Sequence, residues 1–127
     1  MIKTKKEGDN YYFDYSIMQR YIDLCKKYGI IDEISLYGLA NIWKKPESGY
    51  GKVAEDYPDA IRIRYYDGND GTYKYMTEAK DIDLYIKSLE TYFLSTDQMK
   101  AVRLCADEPA DVEAYKKSID HILSIAP

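Results

Sequence analysis

Two β-forming runs flank an amphipathic segment near the start of this chain, and their order constrains the fold. Between Ser16 and Tyr28 the apolar residues recur at intervals of three and four, which is the spacing of one helical face. The residues on that face are Ile17, Tyr21, Leu24, Cys25 and Tyr28. Tyr11 to Phe13 precedes the helix, and Ile30 to Gly38 follows it. A strand, a helix and a second strand in this order predict an α/β fold with a parallel sheet.

The second half of the chain continues this alternation. A helix is predicted from Glu78 to Leu94, and Ala101 to Ala106 has the apolar composition of a strand that is buried on both faces. Another helix follows Pro109. The apolar face of the earlier helix consists of Ile82, Tyr85, Ile86, Leu89 and Phe93, and that of the last helix of Val112, Tyr115, Ile119, Ile122 and Leu123. His121 lies opposite the second of these faces, so we expect it to be exposed to solvent.

An irregular region and a hairpin separate the two halves. From Leu39 to Asp59 the periodicity disappears, and this stretch contains prolines, glycines and Trp43, the only tryptophan of the chain. Loops of this length are usually functional. Ile61 to Tyr66 and Thr72 to Met76 flank a glycine-rich turn. We therefore predict a β-hairpin that is inserted in a βα loop.

Charge and hydropathy restrict the partners. The chain has 18 basic and 22 acidic side chains, a formal charge of −4, and neither sign forms a long block. We therefore expect neither nucleic acid nor a membrane surface as a partner. The lysines at the N-terminus are not followed by an apolar segment, and no run approaches the roughly 18 apolar residues of a membrane span. The expected location is cytoplasmic unless an export signal lies outside this chain, and residues 1–10 are expected to be flexible.

Cysteine and histidine are too few for several kinds of site. Cys25 and Cys105 are far apart and lie within apolar patterns, which favours buried free thiols over a disulfide. His121 is the only histidine, and its expected exposed position on the last helix argues against a Ser-His-Asp or Cys-His catalytic site within the chain. A single histidine also excludes a histidine-rich metal site. We expect no metal and no cofactor.

The acidic pair Asp107-Glu108 is the strongest candidate for chemistry. It follows the apolar run that ends at Ala106, and (β/α) proteins place catalytic side chains at the C-terminal ends of their strands. Pro109 favours a turn there, which would let both carboxylates face one substrate. Two close carboxylates disfavour joint ionisation, which can raise the pKa of one of them and keep it protonated as an acid. The alternative is structural, because acidic residues and proline favour the start of a helix.

The order of several short strings resembles glycoside hydrolase family 123, which contains retaining β-N-acetylgalactosaminidases, and related DUF4091 proteins. The strings are Phe13-Asp-Tyr-Ser16, Tyr21-Ile-Asp-Leu-Cys-Lys-Lys-Tyr-Gly-Ile30, the tryptophan loop, Arg64-Tyr-Tyr-Asp67 and Ala106-Asp-Glu-Pro109. The resemblance covers nearly the whole chain. It implies that residues 1–127 are one partial catalytic domain, about half of a (β/α)8 barrel of the TIM type.

The same resemblance implies substrate-assisted cleavage of terminal N-acetylhexosamine residues. Glu108 would be the general acid and base, and Asp107 would orient the acetamido group of the sugar. Tyr37, Trp43, Arg64, Tyr65 and Tyr66 are the candidate substrate-binding residues, because aromatic faces match apolar sugar faces and polar groups can meet the hydroxyls.

Two other functions remain open. A carbohydrate-binding or structural module derived from a barrel would keep the aromatic residues, but its two carboxylates need not converge. An α/β domain unrelated to sugars would use Asp107 and Glu108 only to begin a helix. Half a barrel also leaves strand edges uncovered, so we expect either self-association or the remaining part of the barrel as a partner.

Overall fold

The computed structural model describes residues 1–40, 62–105 and 112–127. Its strands are β1 (Lys3–Glu7), β2 (Asn10–Asp14), β3 (Ile34–Tyr37), β4 (Arg64–Asp67), β5 (Thr72–Tyr75) and β6 (Val102–Cys105). Its helices are α1 (Ser16–Lys27), α2 (Ala79–Ser95), the short 3-10 helix Met99–Ala101 and α3 (Val112–Ile125). The predicted alternation of helices and strands is therefore present, and the arrangement of the strands differs from the prediction.

Two hairpins form one mixed sheet with the strand order β2-β1-β4-β5. Both hairpins are antiparallel, and β1 runs parallel to β4. The predicted hairpin of residues 61–76 is confirmed as β4 and β5. The expectation that β2, α1 and β3 form one parallel unit is wrong, because β2 pairs with β1 and β3 belongs to a second sheet.

Residues 1–10, for which the sequence predicted a flexible segment, contain β1 and the first residue of β2. Thr4 is buried while its neighbours Lys3 and Lys5 are exposed, so β1 has one face in the core. Gly8 turns the chain with a φ of +58°, and its amide donates a hydrogen bond of 3.0 Å to the Asn69 side chain of the other hairpin. These contacts hold β1 between β2 and β4.

The second sheet is the parallel pair β3 and β6, in which Ile34 pairs with Val102 and Tyr37 with Cys105. Helix α2 lies between these strands in the sequence, as parallel pairing requires a crossover connection. The β4–β5 hairpin lies between β3 and α2, so it is inserted in a βα connection as predicted. Within residues 1–40, 62–105 and 112–127, parallel pairing is thus limited to this pair and to the β1–β4 contact.

Helix α2 forms the centre of the core. Its predicted apolar face is confirmed: Ile82, Ile86, Leu89 and Phe93 are buried and Tyr85 is half-buried. Tyr85 packs edge-on against Phe13 of β2, with ring centres 5.7 Å apart. Tyr11, also of β2, donates a hydrogen bond of 2.9 Å from its hydroxyl to Asp81 at the start of the helix. The hairpin sheet therefore packs on α2 through one face.

Helix α1 presents a different face to the core than its sequence suggests. Met18 and Ile22 are buried, and Tyr15 stacks on Tyr92 of α2 with ring centres 4.3 Å apart. The exposed apolar residues of this helix and its end are Ile17, Tyr21, Leu24 and Tyr28. The helix has apolar residues on two sides, and contact with Tyr92 determines which side is buried.

A polar network fixes that orientation of α1. The Tyr92 hydroxyl donates a hydrogen bond to the Oε1 atom of Gln19, which also accepts one from the buried Gln98 side chain at 2.9 Å. Lys26 Nζ donates to Gln98 at 3.0 Å. Because Gln98 lies just before the 3-10 helix and β6 in the chain, the network lies toward the N-terminal end of β6.

Helix α3 packs on α2 with Ala114, Ser118 and Ile122 buried. Its predicted apolar face is confirmed only in part, since Val112 and Leu123 are exposed. The expectation that His121 faces solvent is also wrong. Its ring is half-buried, and its Nε2 atom lies 3.1 Å from Asp83 Oδ1 on α2. Cys25 and Cys105 are free thiols as predicted, but both are only partly buried.

Candidate active site

The C-terminal ends of the two parallel strands meet where Tyr37 pairs with Cys105. Tyr37 is 66% exposed at this edge. In the sequence, Asp107 and Glu108 follow the end of β6 by two and three residues. Both predicted catalytic residues lie outside the described residues, and so does Trp43.

A cavity of about 450 Å³ adjoins this edge. One wall consists of Ser35, Leu36 and Tyr37 of β3. The opposite wall consists of Ile2, Thr4 and the segment from Arg62 to Arg64, and Tyr85 and Leu89 of α2 also line the cavity. The hairpin sheet thus lies beside the C-terminal end of β3, and two of the predicted substrate-binding residues, Tyr37 and Arg64, line one cavity.

Tyr85, which the sequence predicted only as a core residue, also lines this cavity and brings a hydroxyl group to it. Burial raises the pKa of its hydroxyl to about 12, and the nearby Tyr15 has a smaller effect in the same direction. The hydroxyl therefore stays protonated at neutral pH, where it can donate a hydrogen bond. Tyr15 itself is hydrogen-bonded to Ser88 at 2.6 Å.

Tyr65 and Tyr66 lie on opposite faces of β4. Tyr65 is 8% exposed and its ring meets that of Tyr11 edge-on at 5.3 Å, so it packs in the core. Tyr66 is half-buried on the other face, where its ring lies 5.3 Å from that of Tyr73. Adjacent strand residues must alternate in this way, and the contact with Tyr11 decides which tyrosine is buried.

Arg64 shares the open face of β4 with Tyr66. Its guanidinium carbon lies 4.8 Å from the ring centre of Tyr73, which is a cation–π contact. Tyr12 and Tyr73 lie on the same face and were missed as candidates. The sequence could have indicated them, because side chains alternate between the two faces of each strand and every second one lies on this face.

Residues 1–40, 62–105 and 112–127 contain no group of three or more His, Cys, Asp or Glu side chains that could hold a metal ion. No helix within the same ranges is both long and apolar enough to cross a membrane.

Comparisons with known proteins agree with the resemblance seen in the sequence. Residues 1–127 match the family model described as glycoside hydrolase 123, catalytic domain. The comparison with curated proteins finds no match. A similar solved structure is a family 123 glycoside hydrolase from Clostridium perfringens, described in a study of glycolipid glycan hydrolysis.

That structure has a TM-score of 0.58 and 22% sequence identity to this chain, so it supports a likeness of fold. The match covers 94% of this chain and 20% of the other, which means that the chain spans about a fifth of the length of that solved relative. On the match of the family model over every residue, this chain belongs to glycoside hydrolase family 123.

Proposed function

We propose that this chain is part of the catalytic domain of a retaining glycosidase that cleaves terminal N-acetylhexosamine residues, with β-N-acetylgalactosamine as the expected sugar. Membership of the family supports a glycosidase. The observation that carries the proposal further is the register of Tyr37 with Cys105 beside the cavity, since Asp107 and Glu108 follow Cys105 so closely in the sequence.

The proposed reaction is substrate-assisted. Glu108 protonates the glycosidic oxygen as the leaving group departs, and the acetamido oxygen of the sugar attacks C1 to form a cyclic oxazolinium ion. Asp107 accepts a hydrogen bond from the acetamido N–H and stabilises the positive charge of that ion. Glu108 then removes a proton from water, which opens the ring at C1. Two inversions give net retention of configuration.

We also propose that β3 and β6 are neighbouring strands of a (β/α)8 barrel. Their parallel pairing across α2 is the repeating unit of such a barrel. Both hairpins lie in segments that precede a helix, and the cavity joins them to the C-terminal end of β3. In barrel enzymes that end carries the active site, so the hairpin sheet would form one wall of the substrate cleft.

The test uses the protein that carries this domain, assayed with aryl N-acetylhexosaminides whose leaving groups differ in basicity. Glu108→Gln should lower hydrolysis of a poor leaving group by about 10²–10⁴-fold, the usual contribution of a general acid. A very good leaving group needs little protonation, so its first step should be partly retained.

Glu113→Gln is the matched control, because Glu113 is an exposed carboxylate in the first turn of α3. It should leave both rates unchanged. Hydrolysis of the poor leaving group by Glu108→Gln at the wild-type rate would contradict the assigned role.

A further inference from the structure

A row of four side chains crosses the hairpin sheet on the face opposite to α2. Tyr12 of β2 pairs with Lys5 of β1, Lys5 pairs with Tyr66 of β4, and Tyr66 pairs with Tyr73 of β5. Paired residues of neighbouring strands point to the same face. We call Tyr12, Lys5, Tyr66 and Tyr73 the tyrosine row. It spans about 14 Å, because neighbouring strands lie about 4.8 Å apart.

The aromatic rings of this row are accessible. Tyr12 is 55% exposed and Tyr73 is 67% exposed. Tyr66 and Tyr73 meet at an interplanar angle of 65°, so their rings form a corner and not a flat stack. Arg64 closes this corner through its contact with the Tyr73 ring. The result is a groove of about 580 Å³ with aromatic walls.

Polar groups of both signs line the groove. Lys5 forms an ion pair with Glu7, which raises the pKa of the lysine by hydrogen bonding. Lys3 and Asp14 are paired in register at the edge of the same groove. A surface with mixed charge and exposed tyrosines suits a neutral ligand rich in hydroxyl groups better than a nucleic acid or an anionic lipid.

The groove is continuous with the cavity at the strand ends. Ile2, Thr4 and Arg64 line both of them. Arg64 therefore lies between Tyr37 on one side and the tyrosine row on the other. A ligand that occupies the cavity next to Tyr37 can extend past Arg64 along the sheet without crossing the core.

We propose that the tyrosine row binds the sugars that follow the terminal residue of an oligosaccharide substrate, on the leaving-group side of the bond that is cleaved. This inference rests on the proposed function, because it places the cleaved sugar in the cavity beside Tyr37. The tyrosine rings pack against the apolar faces of these sugars, and Lys5 and Arg64 donate hydrogen bonds to their hydroxyls. The substrate class that this row favours is an oligosaccharide with a terminal N-acetylhexosamine.

The test measures binding in the Glu108→Gln background, in which turnover of the ligand is slow. The probes are a trisaccharide with a terminal N-acetylhexosamine and the free N-acetylhexosamine, each titrated by calorimetry. Tyr66→Ala and Tyr73→Ala should each weaken trisaccharide binding by about three- to tenfold, the usual effect of losing one aromatic contact. Their affinity for the monosaccharide should not change.

Tyr28→Ala is the control, because Tyr28 is an exposed tyrosine at the end of α1, before β3 begins. It should bind both probes with the same affinity as the Glu108→Gln protein. The proposal is overturned if the Glu108→Gln protein binds the trisaccharide no more tightly than the monosaccharide. It is also overturned if adding Tyr66→Ala or Tyr73→Ala leaves the affinity for the trisaccharide unchanged. Hydrolysis of aryl substrates by Glu108→Gln tests the proposed function separately, so either idea can fail alone.

Discussion

The side chain of Lys74 donates a hydrogen bond of 2.7 Å to Asp67, a carboxylate that the β4–β5 hairpin buries. The same Nζ atom lies 2.6 Å from Asp70 in the turn. The turn itself closes with a hydrogen bond of 2.8 Å from the Gly71 amide to the Asp67 carbonyl, where Gly71 has a φ of +75°. This cluster holds the hairpin that carries Tyr66 and Tyr73.

The first prediction concerns the acid stability of this hairpin. Hydrogen bonds from Lys74, and then from Thr72, lower the pKa of Asp70 to about 2. Hydrogen bonds from Lys74, and then from the Asn69 amide, lower the pKa of Asp67. A carboxylate with a depressed folded-state pKa contributes stability above its unfolded value of about 3.9, and that contribution is lost as the pH falls toward the folded value.

In Lys74→Gln we therefore expect the pKa of Asp70 to rise toward 3.9, and the unfolding free energy to fall less between about pH 4 and pH 2. Carboxyl NMR titration and denaturant melts at several pH values measure both effects. Lys80→Gln is the control, since Lys80 pairs with Glu78 at an exposed position away from the turn. An unchanged Asp70 titration in Lys74→Gln would remove the basis of this prediction.

Sequence patterns predicted elements whose contacts are local. The α2 face was correct because Ile82, Ile86, Leu89 and Phe93 repeat along one side of a long helix that is buried only there. The β4–β5 hairpin was correct because its turn contains Gly68 and Gly71, and Gly71 has the positive φ that favours glycine. Both signals lie within a few residues of the structure that they specify.

Sequence patterns failed where distant contacts decide. The sequence did not predict strand β1, because its pairing partners β2 and β4 lie outside the segment itself. The buried face of α1 depends on Tyr92, which lies far along the chain. Membership of two separate sheets also follows from pairing partners, which alternation within one strand cannot specify.

In the candidate site, too, local patterns could be predicted from the sequence and contacts between distant residues could not. Tyr37 and Arg64 were both proposed for one cleft, and they line one cavity. The choice between Tyr65 and Tyr66 required knowledge of the Tyr11 ring that covers one face of β4. Tyr73 was not among the candidates, because its position beside Tyr66 depends on cross-strand pairing.

The second prediction concerns Tyr37. Because its side chain is exposed at the strand end, Tyr37→Ala should change the unfolding free energy by less than about 0.5 kcal/mol. We expect kcat/KM for an aryl N-acetylhexosaminide to fall about tenfold, mainly through KM, if the ring contacts the terminal sugar in the ground state and the transition state alike. Tyr28→Ala, an equally exposed tyrosine, should leave the kinetics unchanged. Wild-type kinetics of Tyr37→Ala would show that the terminal sugar does not contact this ring.

The last prediction concerns the exposed apolar side of α1, which consists of Ile17, Tyr21 and Leu24. Arg20, Asp23 and Lys27 border this side, so it is an apolar strip between charged residues. Burying such a strip is favourable at about 25 cal/mol per Å² of apolar surface. We therefore expect the isolated 127-residue chain to self-associate through α1.

Light scattering over a range of concentrations measures this association. Ile17→Lys combined with Leu24→Lys should shift the chain to a monomer while preserving its circular dichroism, because neither side chain is buried in the core. Leu94→Lys is the control, since Leu94 is an exposed apolar residue on α2 outside the strip. A wild-type chain that stays monomeric and unfolds cooperatively would refute self-association. Equal association of the double variant and the wild type would assign the contact to a surface other than α1.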